Sequence, residues 1–347
     1  MKNSPIVQLT LARLREFFRE PEAVFWVYGF PILMAVLLGI AFREQPVERV
    51  FVDVQEGPHA ETALSAFKAI KKFDVRKCEE ALCRNRLRTG KTQLVVVSGS
   101  EGAAGFDYLY DPARSDSVLA RKEADDALQR AAGRKDSFPA QDREFKEPGG
   151  RYIDFLIPGL LGMSIMGGGL WGVGFVTVDM RIRKLLKRFL ATPMKKTHFL
   201  AAVMLSRICF LIPEVLVLIV FAAVVFGVKI YGSVVATGLL ILLGSLTFSG
   251  FGLLVASRAK TIEAVSGLMN LVMLPMWMLS GIFFSSSRYP DAAQPLIKLL
   301  PLTALIDAMR AVMIDGASIF SQVPQVALVA VWGTVTFIVA LKIFRWQ

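Results

Sequence analysis

Six long apolar segments, joined by short polar loops and one large polar insertion, form the main pattern along the chain. They cover residues 24–42, 152–178, 199–227, 233–256, 263–284 and 324–344. An apolar run of about 20 residues is long enough to cross a bilayer as a helix. The pattern therefore predicts an α-helical polytopic membrane protein with six transmembrane helices.

Residues 5–20, ahead of the first apolar segment, place apolar and polar positions at helical spacing. The apolar face consists of Val7, Leu11, Leu14 and Phe18. This pattern predicts an amphipathic helix that lies along the inner membrane interface and is broken at Pro21. A cleaved signal peptide is the alternative for this end of the chain, but the long charged leader and the lack of a small-x-small cleavage site disfavour it.

The polar insertion, residues 43–150, alternates strand-like runs with helical patterns. Strands are predicted at 50–54, 74–77, 92–98 and 106–110, and helices at 60–72, 79–88 and 115–132. Such alternation is typical of a small α/β sandwich. Its 19 Lys and Arg residues balance its 19 Asp and Glu residues, so we expect a separate domain without net charge. It lies between the first span, within 1–42, and the five-span part, 151–347.

A short basic segment, residues 179–200, connects the second and third apolar segments. Its cations are Arg181, Arg183, Lys184, Lys187, Arg188, Lys195 and Lys196, and its one acid is Asp179. Ile182, Leu185, Leu186, Phe189 and Leu190 recur within it at helical spacing. We expect an amphipathic helix over 179–196, ended by Pro193, through which a cytoplasmic partner moves the membrane part. A solvated loop that only sets the topology is the alternative.

The charge of the short loops predicts the orientation of the chain. Lys and Arg in short loops favour the cytoplasmic side, so we expect the basic segment, the 257–262 loop and both termini inside. Residues 43–150 are then an extracytoplasmic domain, and residues 285–322 are also outside, with a helical hairpin at 288–316. Hydrophobic residues make up 54% of the chain, and the net charge of +11 belongs to the membrane part, which favours anionic lipid over nucleic acid as a partner.

Patterns for catalysis or metal binding do not occur in the sequence. His59 and His198 fall in different predicted compartments. Residues 85–92 resemble a phosphate loop only superficially, because they close a helix and open a strand. We therefore expect a chain that is not an enzyme, and an intramembrane enzyme is a disfavoured alternative. Cys78 and Cys83 need a helix boundary between them to bridge, and the sequence leaves the bridged and reduced states open.

Glu214 and Asn270 are polar residues inside predicted spans. An ionisable group at such a depth is costly and often functional. The alternative for Glu214 is a purely structural carboxyl group, satisfied by a neighbouring helix or by a wet cavity. Arg207, two turns earlier, is expected to extend its side chain to the inner surface.

Three stretches carry a resemblance to a known family. They are Leu190-Ala-Thr-Pro-Met194, Leu279-Ser-Gly-Ile-Phe-Phe284, and Leu300-Pro-Leu-Thr-Ala304 with Ala308, Arg310 and Gly316. Their order and spacing resemble the ABC type-2 permeases, the membrane subunits of ATP-binding-cassette exporters. The resemblance implies a permease that moves a substrate out of the cytoplasm or the inner leaflet. Richness in Phe and Met favours a hydrophobic or amphipathic substrate, although any lipid-facing helix has the same composition. The resemblance covers the membrane part and, loosely, the insertion.

The resemblance also implies partners and sites. A homodimer of permease chains in membrane lipid would work with a separate cytoplasmic ATPase that binds ATP and Mg²⁺, so no cofactor is expected in this chain. The family often has an acidic-Gly-Thr-Leu-Glu pattern where this chain has Lys184-Leu-Leu-Lys187, so the family's own ATPase contacts are not carried over. From the helical pattern of the basic segment and its Thr-Pro end, coupling to the ATPase is expected at Arg181, Leu186, Phe189, Leu190, Thr192 and Pro193. Ser280, Gly281, Pro301 and Arg310 belong to the outer-hairpin motif, and Glu214 and Asn270 are candidates for the pathway or for polar contacts within the membrane. The alternative function is a membrane sensor or signalling scaffold whose extracytoplasmic domain binds a ligand.

Overall fold

The structure, a computed structural model, describes residues 5–42, 49–98, 105–135, 138, 149–191 and 196–344. Helix α1 (Pro5–Arg19) begins the chain, and α2 (Pro21–Ala41) follows it. Both the N-terminal helix and its end before Pro21 are confirmed. The chain divides into two compact units, one formed by Glu44–Phe145 and the other by Met1–Arg43 with Lys146–Gln347.

The smaller unit is an α/β sandwich built on a four-stranded sheet. Its elements in order are β1 (Val50–Gln55), α3 (Ala60–Lys68), β2 (Phe73–Cys78), α4 (Glu80–Arg88), β3 (Leu94–Ser98), β4 (Phe106–Leu109) and α5 (Ser115–Ala131). The strand order is β2-β1-β3-β4, with β1 parallel to β2 and β3 and with β4 antiparallel to β3. All the predicted elements are present. Helix α3 ends before the predicted residue 72, because the chain must turn before Phe73 pairs with Val50.

Alternating side chains give this sheet two apolar faces. Val52 and Val54 of β1 pack with Phe67 of α3 and with α5 on one face. On the other face, α4 covers Val95 and the disulfide between Cys78 and Cys83, whose Cα atoms are 5.7 Å apart. Cys78 ends β2 and α4 begins at Glu80, so a boundary separates the two cysteines and the structure shows the bridged state.

The larger unit contains the remaining helices. They are α6 (Tyr152–Ile182), α7 (Leu185–Leu190), α8 (Lys196–Phe226), α9 (Val234–Ala256), α10 (Ile262–Leu279), α11 (Gln294–Leu299), α12 (Pro301–Met313) and α13 (Val323–Ile343). Helices α2, α6, α8, α9, α10 and α13 are long and apolar enough to cross a membrane, which confirms the predicted six. The predicted fifth span, 263–284, is shorter than expected because the chain turns at Ser280 and Gly281, where φ is 73° at the glycine.

Helices α6 and α9 form the centre of the larger unit. In the most apolar 18-residue stretch of each helix, 78% is buried in α6 and 67% in α9. The corresponding share is only 11% in α2 and 17% in the last span. Glycines permit this packing, since a Cβ atom on Gly159 would lie 2.5 Å from the Ile282 carbonyl oxygen, and one on Gly174 would lie 2.5 Å from that of Gly252. The glycines of the second span therefore serve close packing within the chain, as small residues do in membranes.

Helix α1 packs along the third span. The hydroxyl of Thr10 donates to the Ile6 carbonyl oxygen of its own helix at 2.8 Å and lies 3.4 Å from the carbonyl oxygen of Ala202 in α8. The rings of Phe17 and Phe210 lie 4.5 Å apart. The predicted apolar face is on the other side, where Val7, Leu11 and Phe18 are 50%, 41% and 60% exposed. Helix α1 therefore presents this apolar face away from the rest of the chain.

Candidate functional site

The basic segment between the second and third spans contains a turn rather than one continuous helix. Helix α6 ends at Ile182, and α7 covers only Leu185–Leu190. Lys184, between them, has a φ of 59°, in the left-handed region that non-glycine residues rarely adopt. The prediction of a single helix over 179–196 is therefore wrong. The chain leaves the helical conformation at Lys184, and α7 packs against the second and third spans through Leu186.

Leu186 is the residue through which α7 packs. It is 2% exposed and belongs to an apolar cluster with Val173 and Met180 of α6 and with Phe199 and Val203 of α8. Burial of a leucine side chain typically contributes about 1.5–3 kcal/mol. Leu186 thus fixes the basic segment to the C-terminal end of the second span and the N-terminal part of the third, and its side chain does not reach the surface.

Arg181 joins the end of the second span to the end of the fourth span with its following loop, and to the end of the sixth span. Its Nη1 atom donates hydrogen bonds to the carbonyl oxygens of Ala256 and Ala259, each at 2.9 Å. Its guanidinium also lies 5.1 Å from the centre of the Phe344 ring, beyond the end of α13. Because α9 ends at Ala256, Arg181 satisfies a carbonyl group that the helix itself leaves open. We name these contacts the Arg181 junction.

The outward surface of the basic segment is cationic. Arg183, Lys184 and Arg188 are exposed, and Arg183 pairs with Asp179 at 2.9 Å. Such a surface, held in place by the buried Leu186, is suited to an acidic protein surface or to anionic headgroups.

The other predicted coupling residues fall at the edge of the described structure. The backbones of Phe189 and Leu190 belong to α7, whereas their side chains lie outside the described part. Thr192 and Pro193 lie outside the described residues. The structure therefore places Arg181 and Leu186 near the C-terminal end of the second span, and the coupling roles expected for all six residues stay predictions.

A buried ion pair lies within the third span. Arg207 Nη1 donates to Glu214 Oε2 at 2.8 Å, and the side chains are only 4% and 5% exposed. The expectation that Arg207 reaches the inner surface is wrong, since Glu214 two turns along the same helix holds it inside. If either residue were charged here without its partner, folding would cost several kcal/mol, which is the effective penalty for removing one ion from water. Among the described residues, the hydrogen-bond partner of Glu214 comes from its own helix.

Glycines of the second span make room for this pair. A Cβ atom on Gly168 would overlap the guanidinium of Arg207, and one on Gly172 would lie 3.8 Å from Arg207 Cδ. Arg13 of α1 reaches the same place, because its Nη2 atom donates to the Gly172 carbonyl oxygen at 3.3 Å. Burial lowers the pKa of Arg13, and nearby carboxylates oppose that shift. Two arginines thus approach the second span where it has no side chains.

Two residues of the outer-hairpin motif meet in space. Arg310 of α12 donates hydrogen bonds to the carbonyl oxygens of Gly281 and Phe155, and its guanidinium lies 3.6 Å from the centre of the Phe155 ring. Burial lowers the pKa of Arg310 to about 10, and Asp307 opposes this shift. The side chain is therefore still charged at neutral pH. It clamps the turn after the fifth span to the second span.

The remaining predicted residues have simpler surroundings. Ser280 is fully buried next to Gly281, and Pro301 is the first residue of α12, where a missing N–H group costs no helical hydrogen bond. Asn270 lies halfway along α10 and is exposed, whereas Glu214 is buried. The two intramembrane candidates therefore have opposite environments.

Arg13 and Phe155 contribute to these sites without having been identified as site residues in the sequence. Phe155 contributes its carbonyl oxygen and its ring, and any apolar residue of a span looks alike in the sequence. Gly168 belongs to a run of three glycines, 167–169, and such small residues favour close approach of another helix in a membrane. The glycine run does not indicate that the group packed against it is the guanidinium of Arg207.

Known transport proteins are similar to this chain. Nodulation protein J of Bradyrhizobium diazoefficiens is 32% identical over 106 residues, which are 30% of this chain and 40% of that protein. The inner membrane transport permease YadH of Escherichia coli (strain K12) is 27% identical over 197 residues, 56% of this chain and 74% of that protein. ABC transporter G family member 20 of Dictyostelium discoideum is 24% identical over 201 residues, 57% of this chain and 27% of that protein.

The family match extends further than any of these pairwise similarities. Residues 22–342 match the family described as ABC-2 family transporter protein. The matched range covers the six apolar helices to within one residue at either end, together with the basic segment and residues 288–316. The chain belongs to the ABC-2 transporter family and is a multi-pass membrane permease.

Proposed function

We propose that this chain is the permease subunit of an exporter driven by a separate cytoplasmic ATPase, which binds ATP and Mg²⁺. Membership of the ABC-2 family supports such a pairing. The exposed cations Arg183, Lys184 and Arg188 offer the ATPase a surface that the spans hold in place. A partner can shift the membrane part only through contacts that differ between two of its states.

The Arg181 junction is the observation that carries this proposal. One guanidinium contacts the loop between the fourth and fifth spans and the end of the sixth. Leu186 fixes the basic segment to the second and third spans beside it. A displacement imposed on the basic segment would therefore reach spans two to six directly, which is the property that coupling requires.

The proposed orientation places both termini and the basic segment in the cytoplasm and residues 43–150 outside it. The seven cations of the basic segment support this orientation, because short basic loops favour the cytoplasmic side. The disulfide between Cys78 and Cys83 supports it independently, since disulfides persist mainly in oxidising compartments.

The proposed working unit has two permease chains and two ATPase chains in membrane lipid. Only 22% of the most apolar stretch of α10 and 28% of that of α8 are buried within the chain. Such exposed apolar surface can be covered by lipid, by a second chain or by cargo. We propose a hydrophobic or amphipathic substrate that leaves the cytoplasm or the inner leaflet.

Substitution of Arg181 tests the coupling proposal. The ATPase would be captured with the chain in mild detergent, and both would be reconstituted in liposomes. We expect Arg181→Gln to leave assembly intact and to reduce export per ATP hydrolysed about tenfold or more, because a single lost hydrogen-bonding charge typically costs 1.5–3 kcal/mol.

Arg258→Gln is the matched control, since Arg258 is an exposed arginine of the neighbouring 257–262 loop and its side chain takes no part in the Arg181 junction. It should change the coupling ratio little. An equal loss from both variants would indicate a general charge effect and contradict the junction. Capture of a kinase-like partner without ATP-driven export would instead favour the sensor.

A further inference from the structure

The strongest unused feature of the larger unit is the exposed carboxamide of Asn270. Asn270 is the ninth residue of the 18-residue helix α10, at the middle of a membrane span. The structure gives it no hydrogen-bond partner among the described residues, and its side chain is exposed. A bilayer core supplies no hydrogen bonds, so an amide facing lipid there is costly. The isolated chain therefore leaves a polar group unsatisfied at the membrane midplane.

The surroundings of Asn270 form a stripe that nothing in the described chain covers. Leu271, Leu274 and Met278 are 69%, 53% and 70% exposed. A Cβ atom placed on Gly267 would meet no atom within 4 Å. These residues recur at intervals of three and four, the spacing of one helix face. We name Gly267, Asn270, Leu271, Leu274 and Met278 the α10 stripe.

We propose that the α10 stripe packs against the same stripe of a second copy of this chain, and that the two Asn270 carboxamides hydrogen-bond to each other across the two-fold axis. This inference rests on the homodimer of the proposed function and adds the residue at its centre.

The chemistry of the stripe favours a second copy over other occupants. A carboxamide has both a donor and an acceptor, so two copies related by a two-fold axis satisfy each other. Lipid acyl chains offer neither group. Gly267, one turn before Asn270, has no side chain to keep the helices apart, and small residues allow such close approach in membranes. The apolar residues on either side would exclude water from the amide pair.

Cysteine cross-linking in membranes tests this contact in the full-length chain. In a Cys209→Ala background, we expect Asn270→Cys to form a covalent dimer on mild oxidation. Val331→Cys is the matched control, because it is 58% exposed and lies in the middle part of α13 on another span. We expect it to form no covalent dimer. Cross-linking at both positions would indicate random collision and overturn the proposal.

A second variant measures the contribution of the amide itself. Asn270→Leu keeps the size of the side chain and should weaken self-association by roughly 3- to 20-fold, the range of interhelical hydrogen bonds in membranes. Asn270→Gln retains the amide and should recover part of the loss. Energy transfer between labelled chains at decreasing protein-to-lipid ratios would measure both.

Two further results would contradict the proposal in distinguishable ways. If the chain is dimeric by mass but Asn270→Cys does not cross-link, the dimer uses another face and the amide pair is excluded. If Asn270→Cys instead reacts with a membrane-impermeant maleimide, the stripe faces water and lines a cavity. The export proposal would survive either result, because it is tested separately through Arg181.

Discussion

At the scale of single residues, the Arg207–Glu214 pair makes each of its members dependent on the other. Both side chains are almost completely buried in the third span. Removal of one partner from a buried ion pair costs about 3–5 kcal/mol, whereas replacement of both by apolar residues is often neutral. The pair therefore need not stabilise the fold, even though neither residue can be lost alone.

We expect Glu214→Gln to lower the free energy of unfolding of the full-length chain in detergent by about 3 kcal/mol, because Arg207 would keep a buried, uncompensated charge. The double variant Arg207→Met/Glu214→Leu should recover most of this loss. Denaturant titration followed by tryptophan fluorescence would measure both. A double variant as unstable as the single one would show that the cost comes from packing against Gly168 and not from the charge.

The sequence identified many of these residues but not their partners. Glu214 stood out as a carboxylate inside an apolar run, and Gly281 and Arg310 belonged to recognisable motifs. Their contacts depend on the fold: Arg310 binds a carbonyl oxygen 155 residues earlier in the chain. No local pattern encodes such a distance, so the sequence could name the residues without the contacts.

At the scale of elements, the small α/β unit was predictable and the basic segment was not. Strand and helix patterns in residues 50–131 are local, and their order alone predicts the sandwich. In the basic segment, apolar residues at helical spacing indicated one helix, but the contacts of Leu186 and Arg181 favour a turn at Lys184. Tertiary contacts there outweighed the local pattern.

The small unit provides a test at this scale. We expect residues 46–147 to fold alone in water, with mixed α/β circular dichroism, because the sheet has its own apolar core. Loss of the disulfide in Cys78→Ser/Cys83→Ser should lower the free energy of unfolding by about 2 kcal/mol, since the bridge closes a short loop. A coil-like spectrum of the oxidised fragment would contradict its independence.

At the scale of the whole molecule, orientation in the membrane is the property on which the proposed function depends. In a Cys209→Ala background, we expect a cysteine at Lys184 to react with an impermeant maleimide only from the cytoplasmic side. A cysteine at Ser115 should react only from the opposite side, and both residues are exposed. Labelling of both positions in intact cells would contradict the six-span arrangement.

The length of the second span has a consequence for where the ATPase can act. Helix α6 has 31 residues and is therefore about 46 Å long, at a rise of 1.5 Å per residue. The hydrocarbon core of a bilayer is only about 30 Å thick. If Tyr152 lies at the outer boundary of the core, about 20 residues of α6, or about 30 Å, bring the helix to the end of the acyl chains near Gly172. The last turns, which carry Arg181, would then extend beyond the hydrocarbon. The Arg181 junction would lie at the headgroups or beyond them, where a water-soluble ATPase can act on it without entering the hydrocarbon core.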